Sequence, residues 1–167
     1  MPSAYATIVK RSQRVAFYGI PGTGSTVTFT RMKHFTALTE NKNPITYERQ
    51  YVDKDVQDSD VTGYGTQLEY GFDHYSDDPV LADVAAIQDD EVTGAEREIV
   101  VVDLFDETTT TGTFVARKRT YSVIPDTSGD GTDALQYSGN FAAKSSIVKG
   151  TATSADGWET CTFTAAE

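Results

Sequence analysis

The chain has 167 residues, of which 38% are hydrophobic and 11% aromatic, and this composition suits a folded domain better than a disordered chain. No apolar run reaches the ~20 residues of a membrane-spanning helix, and the N-terminus has no apolar core of signal-peptide type, so we expect folding in a cytosol. The formal net charge of −11 argues against nucleic-acid binding, because that binding depends on neutralising phosphates.

The charge is distributed unevenly along the chain. Residues 53–107 hold 17 acidic and 2 basic side chains, a net charge of −15, whereas the remaining residues have a net charge of +4. Two interpretations stay open. The acidic stretch is either a solvated surface that aids solubility, or one half of a self-complementary pair in which it meets the basic flanks of another copy.

The chain begins with a predicted N-terminal arm over 1–14. "VAFYGI" (15–20) and "VTFTRMKHF" (27–35) are rich in β-branched and aromatic residues and predict a β-hairpin around a Gly-rich connection. That connection, "GIPGTGST" (19–26), has the glycine spacing of a phosphate loop. Because Ser25 stands where such a loop requires lysine, we interpret it as a hairpin loop.

Residues 36–65 are polar and predict a long loop, within which "ITYERQYV" forms at most a short strand. Loops of this length in compact domains are usually functional or disordered. "TQLEYGF" (66–72) then returns to strand alternation, with Leu68, Tyr70 and Phe72 on one face.

One helix is predicted, over 79–91. Asp78 is suited to the N-cap and Pro79 to the first helical position, where its missing N–H costs nothing. Gly94 is expected to close the segment. The apolar residues at helical spacing, which should cover the edge or end of a sheet, are Val80, Leu81, Val84 and Ile87.

The second half of the chain predicts further strands. The Asp-Gly pair directly before Trp158 favours a type I′ turn between the last two of them. With the first half this gives about eight strands and one helix. The predicted fold class is therefore mainly β (α+β): two packed antiparallel sheets forming a β-sandwich or barrel, with one flanking α-helix and a long loop. The strand segments are "REIVVVDLF" (97–105), "TFVARKRTYSVI" (113–124), "DALQYSGNFAAK" (133–144), "SIVKGTAT" (146–153) and "WETCTFTA" (158–165).

The stretch 126–137 has part of the pattern of an EF-hand calcium loop. The twelfth position needs a bidentate glutamate but holds Tyr137, and a strand precedes the stretch instead of a helix. We therefore interpret it as a turn between strands, with weak cation binding by residues 126–133 left open. The first, third, fifth and sixth positions of the pattern are Asp126, Ser128, Asp130 and Gly131.

No catalytic constellation is predicted. The single Cys161 excludes an internal disulfide and a multi-cysteine metal site. With His34 or His74 it could form a nucleophile–base pair, but no local signature accompanies it, and a free cysteine in a strand is most often a small buried hydrophobe. We therefore predict no catalytic residue, no cofactor-binding residue, no metal ligand and no cofactor.

The run "ARKRT" places Arg117 and Arg119 on one face of a strand and Lys118 on the other. Long basic side chains of this kind commonly shield a strand edge. Alternatively, they could pair with the acidic middle of a neighbouring copy. The run has no interleaved aromatic residues of the kind that would make a nucleic-acid platform.

The stretch "TGYGTQLEYGFDHYSDDPVLADVAAIQDDEVTG" (62–94) resembles the strand, helix and following turn of the major tail tube proteins of long-tailed (siphovirus-type) bacteriophages. The strands over 97–124, the segment "LQYSGNFAAKSSIVKGTAT" and the final "GWETCTF" continue that resemblance, which covers about two-thirds of the chain.

The resemblance implies a single tail-tube domain over 1–167, whose copies form hexameric rings that stack into a hollow tube in the virion. The implied partners are other copies of the chain, a tape-measure protein in the lumen, and tail terminator and distal tail proteins. DNA would pass through the lumen during ejection without specific binding. The N-terminal arm, the 36–65 loop and the C-terminal end would be the contacts between rings, and no enzyme activity or cofactor is implied.

An alternative function is a carbohydrate- or protein-binding β-sandwich module, since nine Tyr and one Trp would suit a sugar platform. A hydrolase on the same fold is a third possibility, but the sequence offers it no visible nucleophile–base pair.

Overall fold

A computed structural model describes residues 7–129 and 132–167. A 3-10 helix at Arg11–Gln13 directly precedes the first strand, and helix α1 covers Pro79–Asp89. The strands are β1 (Arg14–Pro21), β2 (Val27–Arg31), β3 (Phe35–Asn41), β4 (Pro44–Arg49), β5 (Asp58–Tyr64), β6 (Gln67–Asp73), β7 (Glu96–Glu107), β8 (Phe114–Gly129), β9 (Gln136–Ala143), β10 (Val148–Thr153) and β11 (Thr160–Ala165).

The described residues form two compact units. Unit 1 contains the described residues up to Lys33, together with Arg97–Thr120 and Ser145–Glu167. Unit 2 contains His34–Glu96 and the described residues of Tyr121–Lys144. Because β8 is 16 residues long, it contributes its first part to unit 1 and its second part to unit 2.

Unit 1 is a closed six-stranded barrel. Its strands follow one another in the order β7, β1, β2, β11, β10 and β8, and β8 lies beside β7 again. Each pairing whose register is described is antiparallel. The interior is filled by the inward-facing residues Val15, Phe17, Val100, Val102, Ala116, Ala152 and Cys161, against which Trp158 and Phe163 pack.

The neighbouring strands approach closely where β10 meets β11 in this barrel. A Cβ atom on Gly150 would lie 2.1 Å from the carbonyl oxygen of Thr164 and 2.7 Å from the Phe163 ring. Glycine is therefore the residue that lets the two strands pair at this spacing.

Unit 2 contains the sheet β8–β9–β6–β3, with antiparallel registers, and helix α1. Aromatic side chains from neighbouring strands pack against each other in its core; for example, the Tyr70 and Phe141 ring centroids are 4.6 Å apart and those of Phe72 and Tyr137 are 5.4 Å apart. The strands β4 and β5 form a separate two-stranded sheet.

The predicted helix over 79–91 is present and ends two residues earlier, at Asp89. Its N-cap is Asp78, whose carboxylate accepts hydrogen bonds from the backbone N–H groups of Val80 (3.0 Å) and Leu81 (3.4 Å). The prediction that Gly94 closes the helix is wrong. Glu91 adopts the left-handed conformation (φ 50°), and the following N–H, of Val92, bonds back to the carbonyl of Ile87. The buried helix residues are Val80, Leu81, Val84, Ala85 and Ile87.

The predicted fold class is confirmed: the chain is mainly β, with antiparallel strands, a closed barrel and one helix among the described residues. The prediction of a long loop over 36–65 is wrong in its secondary structure, because β3, β4 and β5 occupy most of that segment. β4 is exposed along almost its whole length, so it lacks the buried face that alternation reveals. The described part of the chain accordingly has eleven strands, where about eight were predicted.

Three smaller predictions concern the first hairpin, the turn before Trp158 and the N-terminal arm. The first hairpin is confirmed, and the glycine-rich stretch after β1 is its turn, closed by a hydrogen bond from Gly22 N–H to the carbonyl of Thr26 (2.8 Å). Its second strand, predicted over 27–35, ends already at Arg31. His34, three residues later, has a left-handed backbone conformation (φ 63°). The prediction of a tight type I′ turn before Trp158 is wrong, because six residues separate β10 from β11. Of the N-terminal arm, residues 1–6 lie outside the described residues.

Among the described residues, no helix is long and apolar enough to cross a membrane.

Candidate assembly interface

The calcium-loop pattern is built into a strand pair. Asp126 and Ser128 lie in β8, and Ser128 is the register partner of Tyr137 in β9. Asp130 and Gly131, the other two positions of the pattern, lie outside the described residues. Within residues 7–129 and 132–167, no three His, Cys, Asp or Glu side chains are grouped in a way that could hold a metal ion.

Cys161 lies in the barrel core of unit 1, as its sequence context predicted. Burial, with a smaller contribution from the negative charge of Asp156, raises the pKa of its thiol to about 12. The thiol is therefore protonated at neutral pH and is a poor nucleophile.

The two histidines belong to unit 2 and contact other groups. His34 stacks on Tyr75 with a centroid distance of 4.2 Å, and its Nδ1 is 3.3 Å from a carboxylate oxygen of Asp78. His74 packs against the Phe72 and Tyr137 rings. None of these described contacts places either histidine beside Cys161, where it could act as a general base.

The basic run on β8 forms part of a buried ion cluster that the sequence did not predict. The Asp103 carboxylate, with 4% of its side chain exposed, accepts hydrogen bonds from Arg14 Nε (2.6 Å) and Arg117 Nη1 (2.9 Å). Lys118 points to the other face, where it pairs with Glu98 at 3.3 Å. An acidic residue inside the apolar run "IVVVDLF" was the one signal in the sequence that could have indicated this cluster.

The β4–β5 hairpin exposes several large apolar side chains. Two-stranded sheets are marginally stable alone, and contiguous exposed apolar surface commonly marks an interaction site. The large apolar side chains of the hairpin with more than half of their surface exposed are Ile45, Tyr47, Val52, Val56, Val61 and Tyr64. This hairpin is therefore the strongest candidate interface in the described part of the chain.

A cluster of cationic and aromatic side chains fixes the end of the hairpin. The Arg49 guanidinium lies over the rings of Tyr47 and Tyr51, at 5.3 Å and 5.6 Å from their centroids. It also donates to the Tyr51 hydroxyl (2.7 Å) and to the Asp60 carboxylate (2.6 Å). Lys54 likewise bonds to Asp58 at 3.0 Å. These contacts order the hairpin end from within, so it can be presented as a preformed surface.

The connection between β4 and β5 carries the sequence Val-Asp-Lys-Asp-Val, which we call the hairpin tip (52–56). Val52 is fully exposed and Val56 is 73% exposed. Asp53 and Asp55 are also exposed, and among the described residues neither has an ion-pair or hydrogen-bond partner. The tip thus presents two apolar side chains and two uncompensated carboxylates to a partner.

The two units differ strongly in charge. The sequence segments of unit 1 contain ten basic and seven acidic residues, a net charge of +3, whereas those of unit 2 contain four basic and eighteen acidic residues, a net charge of −14. Opposite net charges on two parts of one chain favour contacts between copies that bring unlike parts together.

No protein-family profile matches the chain, and no curated protein sequence matches it. Its fold is similar to that of a chain in the cryo-EM structure of the anti-feeding prophage (AFP) baseplate, which was sixfold symmetrised. The TM-score is 0.53 and the sequence identity is 8%, and the likeness covers 87% of this chain and 97% of that chain. At this identity the likeness is one of fold.

Proposed function

We propose that the chain is a structural protein of a phage tail or a related particle, in which copies assemble as stacked hexameric rings into a hollow tail tube. The observation that carries the proposal is the likeness to a chain of the anti-feeding prophage baseplate over nearly the full length of both chains. That baseplate structure is sixfold symmetrised, and we extend its symmetry to this chain as part of the proposal.

The β4–β5 hairpin is the proposed contact between rings, together with the N-terminal arm and the C-terminal end. Burying its exposed valines and tyrosines against another copy would remove apolar surface from water. A contact of this kind is head to tail, so it does not close on itself and extends into a filament.

The charge of the chain suits a channel for DNA. Six copies at −11 each give a ring a formal charge of −66. A lumen lined by part of that charge repels phosphates, so DNA slides through during ejection without binding. In this proposal a tape-measure protein fills the lumen before ejection, and tail terminator and distal tail proteins cap the two ends of the tube. The protein works through shape and charge and is not an enzyme.

Negative-stain electron microscopy of the purified chain over a concentration series tests this function. We expect hollow rings or tubes of uniform width above a threshold concentration. Compact monomers at every concentration, measured also by sedimentation velocity, would contradict self-assembly of the chain.

A carbohydrate-binding module is the second candidate, because unit 2 contains a small pocket of about 220 Å³ lined mainly by polar groups. Hydroxyl and amide groups beside aromatic rings are suited to a sugar. A glycan array tests this function, and Gln136→Ala should abolish any binding that occurs in the pocket. The lining residues include Thr36, Phe72, Thr127, Gln136, Tyr137 and Ser138.

A further inference from the structure

We infer that the outer face of the unit 1 barrel around Asp103 is the surface that receives the hairpin tip (52–56) of a second copy. The inference rests on the proposed self-assembly and adds to it the receiving surface and the chemistry of the contact. We call this surface the basic face, and it consists of Arg11, Arg14, Asp103, Phe105, Arg117 and Lys149.

The basic face points away from the barrel interior. Val100 and Val102 of β7 belong to the barrel core, so the alternation of the strand directs Asp103 and Phe105 outward. Asp103 is nevertheless buried, because Arg14 and Arg117 cover it from the two neighbouring strands. The arginines themselves remain half exposed, at 51% and 44% of their side chains.

The remaining members of the basic face adjoin this cluster. Arg11 Nη1 donates to the backbone carbonyl of Arg14 at 2.7 Å. Lys149 is the register partner of Arg117 across the β10–β8 pair, which puts both side chains on one face. Phe105 is 43% exposed, and the Arg14 guanidinium lies 6.0 Å from its ring centroid.

The basic face thus holds four cationic side chains and one carboxylate, which gives it a formal charge of +3. Glu107, two residues beyond Phe105 on the same strand face, accepts a hydrogen bond from the backbone N–H of Gly112. The face therefore combines surplus positive charge with an exposed aromatic ring.

The hairpin tip has the complementary combination of negative charge and apolar surface. Asp53 and Asp55 supply two carboxylates for the guanidinium and ammonium groups, and Val52 and Val56 supply apolar surface for the Phe105 ring. The other three hairpin carboxylates already have partners within the hairpin: Asp58 and Asp60 form ion pairs, and Glu48 accepts a hydrogen bond from Gln57. Carboxylate–arginine contacts also fix orientation, which a stacked assembly requires of every copy.

Charge reversal tests the contact without disturbing the Asp103 cluster. The variant D53K/D55K changes only exposed tip residues, and D77K/D90K makes the same change in charge at exposed positions elsewhere in unit 2. We expect D53K/D55K to raise the assembly threshold roughly tenfold or more over that of D77K/D90K, since unlike charges become like charges at the interface. The threshold is measured by sedimentation velocity and negative-stain microscopy at low and physiological salt.

A compensating variant makes the test specific for the basic face. R11E/K149E should raise the threshold in the same way, and the combination D53K/D55K/R11E/K149E should restore assembly toward that of the unmodified chain. Circular dichroism and thermal unfolding establish that every variant is folded.

A zero-length carbodiimide cross-link gives an independent readout. The reagent joins carboxylates to amines in direct contact, so assemblies made from mixed ¹⁴N and ¹⁵N chains should yield a mixed-isotope link from Asp53 or Asp55 to Lys149.

The outcomes separate the two proposals. If the unmodified chain stays monomeric throughout, the proposed self-assembly and this inference both fail. If the unmodified chain assembles but D53K/D55K behaves like D77K/D90K, the tube proposal stands and the inference is overturned. Mixed-isotope links from the tip only to amines other than Lys149 would also overturn it.

Discussion

Replacing Asp103 with asparagine should destabilise the barrel of unit 1 measurably. Asparagine keeps the volume and the burial of the side chain but removes its charge. The aspartate oxygens accept three arginine hydrogen bonds: from Arg14 Nε at 2.6 Å, from Arg14 Nη2 at 3.2 Å and from Arg117 Nη1 at 2.9 Å. Asparagine has a single acceptor oxygen, so at least one arginine N–H would then face the amide NH₂, a second donor.

The expected size of the effect follows from these contacts. A hydrogen bond to a charged group contributes about 1.5–3 kcal/mol, and D103N loses one or two such bonds together with the charge. Because Arg14 and Arg117 are half exposed, solvent screens their attraction, and we take the lower part of the sum. The expected loss is therefore about 1.5–3 kcal/mol, which lowers the midpoint of thermal unfolding by roughly 3–12 °C in a chain of this size.

Thermal and urea unfolding followed by circular dichroism measure this loss. The matched control is D106N on the same strand, where the aspartate is exposed and the change should stay within about 0.5 kcal/mol. If D103N unfolds at the same temperature and urea concentration as D106N, then the buried ion cluster does not stabilise the barrel and the reasoning is refuted.

Three further predictions concern single residues. Asp78→Ala should lower the free energy of unfolding by about 1 kcal/mol, because it removes the N-cap of α1, and Asp77→Ala serves as the control in the same unfolding assay. Gly150→Ala should destabilise the chain by more than about 3 kcal/mol, since a Cβ there meets a backbone oxygen at 2.1 Å. The control Gly63→Ala, whose Cβ has its nearest atom at 3.7 Å, should be nearly neutral, and equal effects of the two substitutions would contradict the packing argument. Hydrogen bonds from Thr160 and Ser154 lower the pKa of Asp156 to about 2, so its charged form should stabilise the loop above pH 4, and that contribution should disappear as the pH falls toward 2. The difference in unfolding temperature between the unmodified chain and D156N should accordingly narrow over that range, and a difference that is constant with pH would count against it.

Some elements could be predicted because their signals are local. Asp78 and Pro79 define the start of α1 within two adjacent residues, and apolar residues at helical spacing follow at once. The strand at 97–105 was equally clear, because a run of β-branched residues suits a strand buried in a sheet. In both cases the determining interactions lie within a few residues along the chain.

Other features depend on residues that are distant in the sequence or on partners that are absent from it. Arg14 and Asp103 are 89 positions apart, and only the β1–β7 register brings them together. From the sequence alone, Asp103 was therefore one more residue of the acidic stretch 53–107. β4 has no buried face in the described chain, and the alternation that identifies strands was therefore missing from it. Exposure on both faces, which concealed this strand from the sequence, is the same property that makes the hairpin a candidate interface.

The single cysteine makes this chain convenient for site-specific labelling. Since Cys161 is buried and the pKa of its thiol is about 12, a maleimide dye should leave the folded native chain largely unlabelled. A second cysteine placed at the fully exposed Val52 would then take up the dye selectively, without any need to remove the natural one. An environment-sensitive dye at that position would report, in real time and in solution, when the hairpin leaves water.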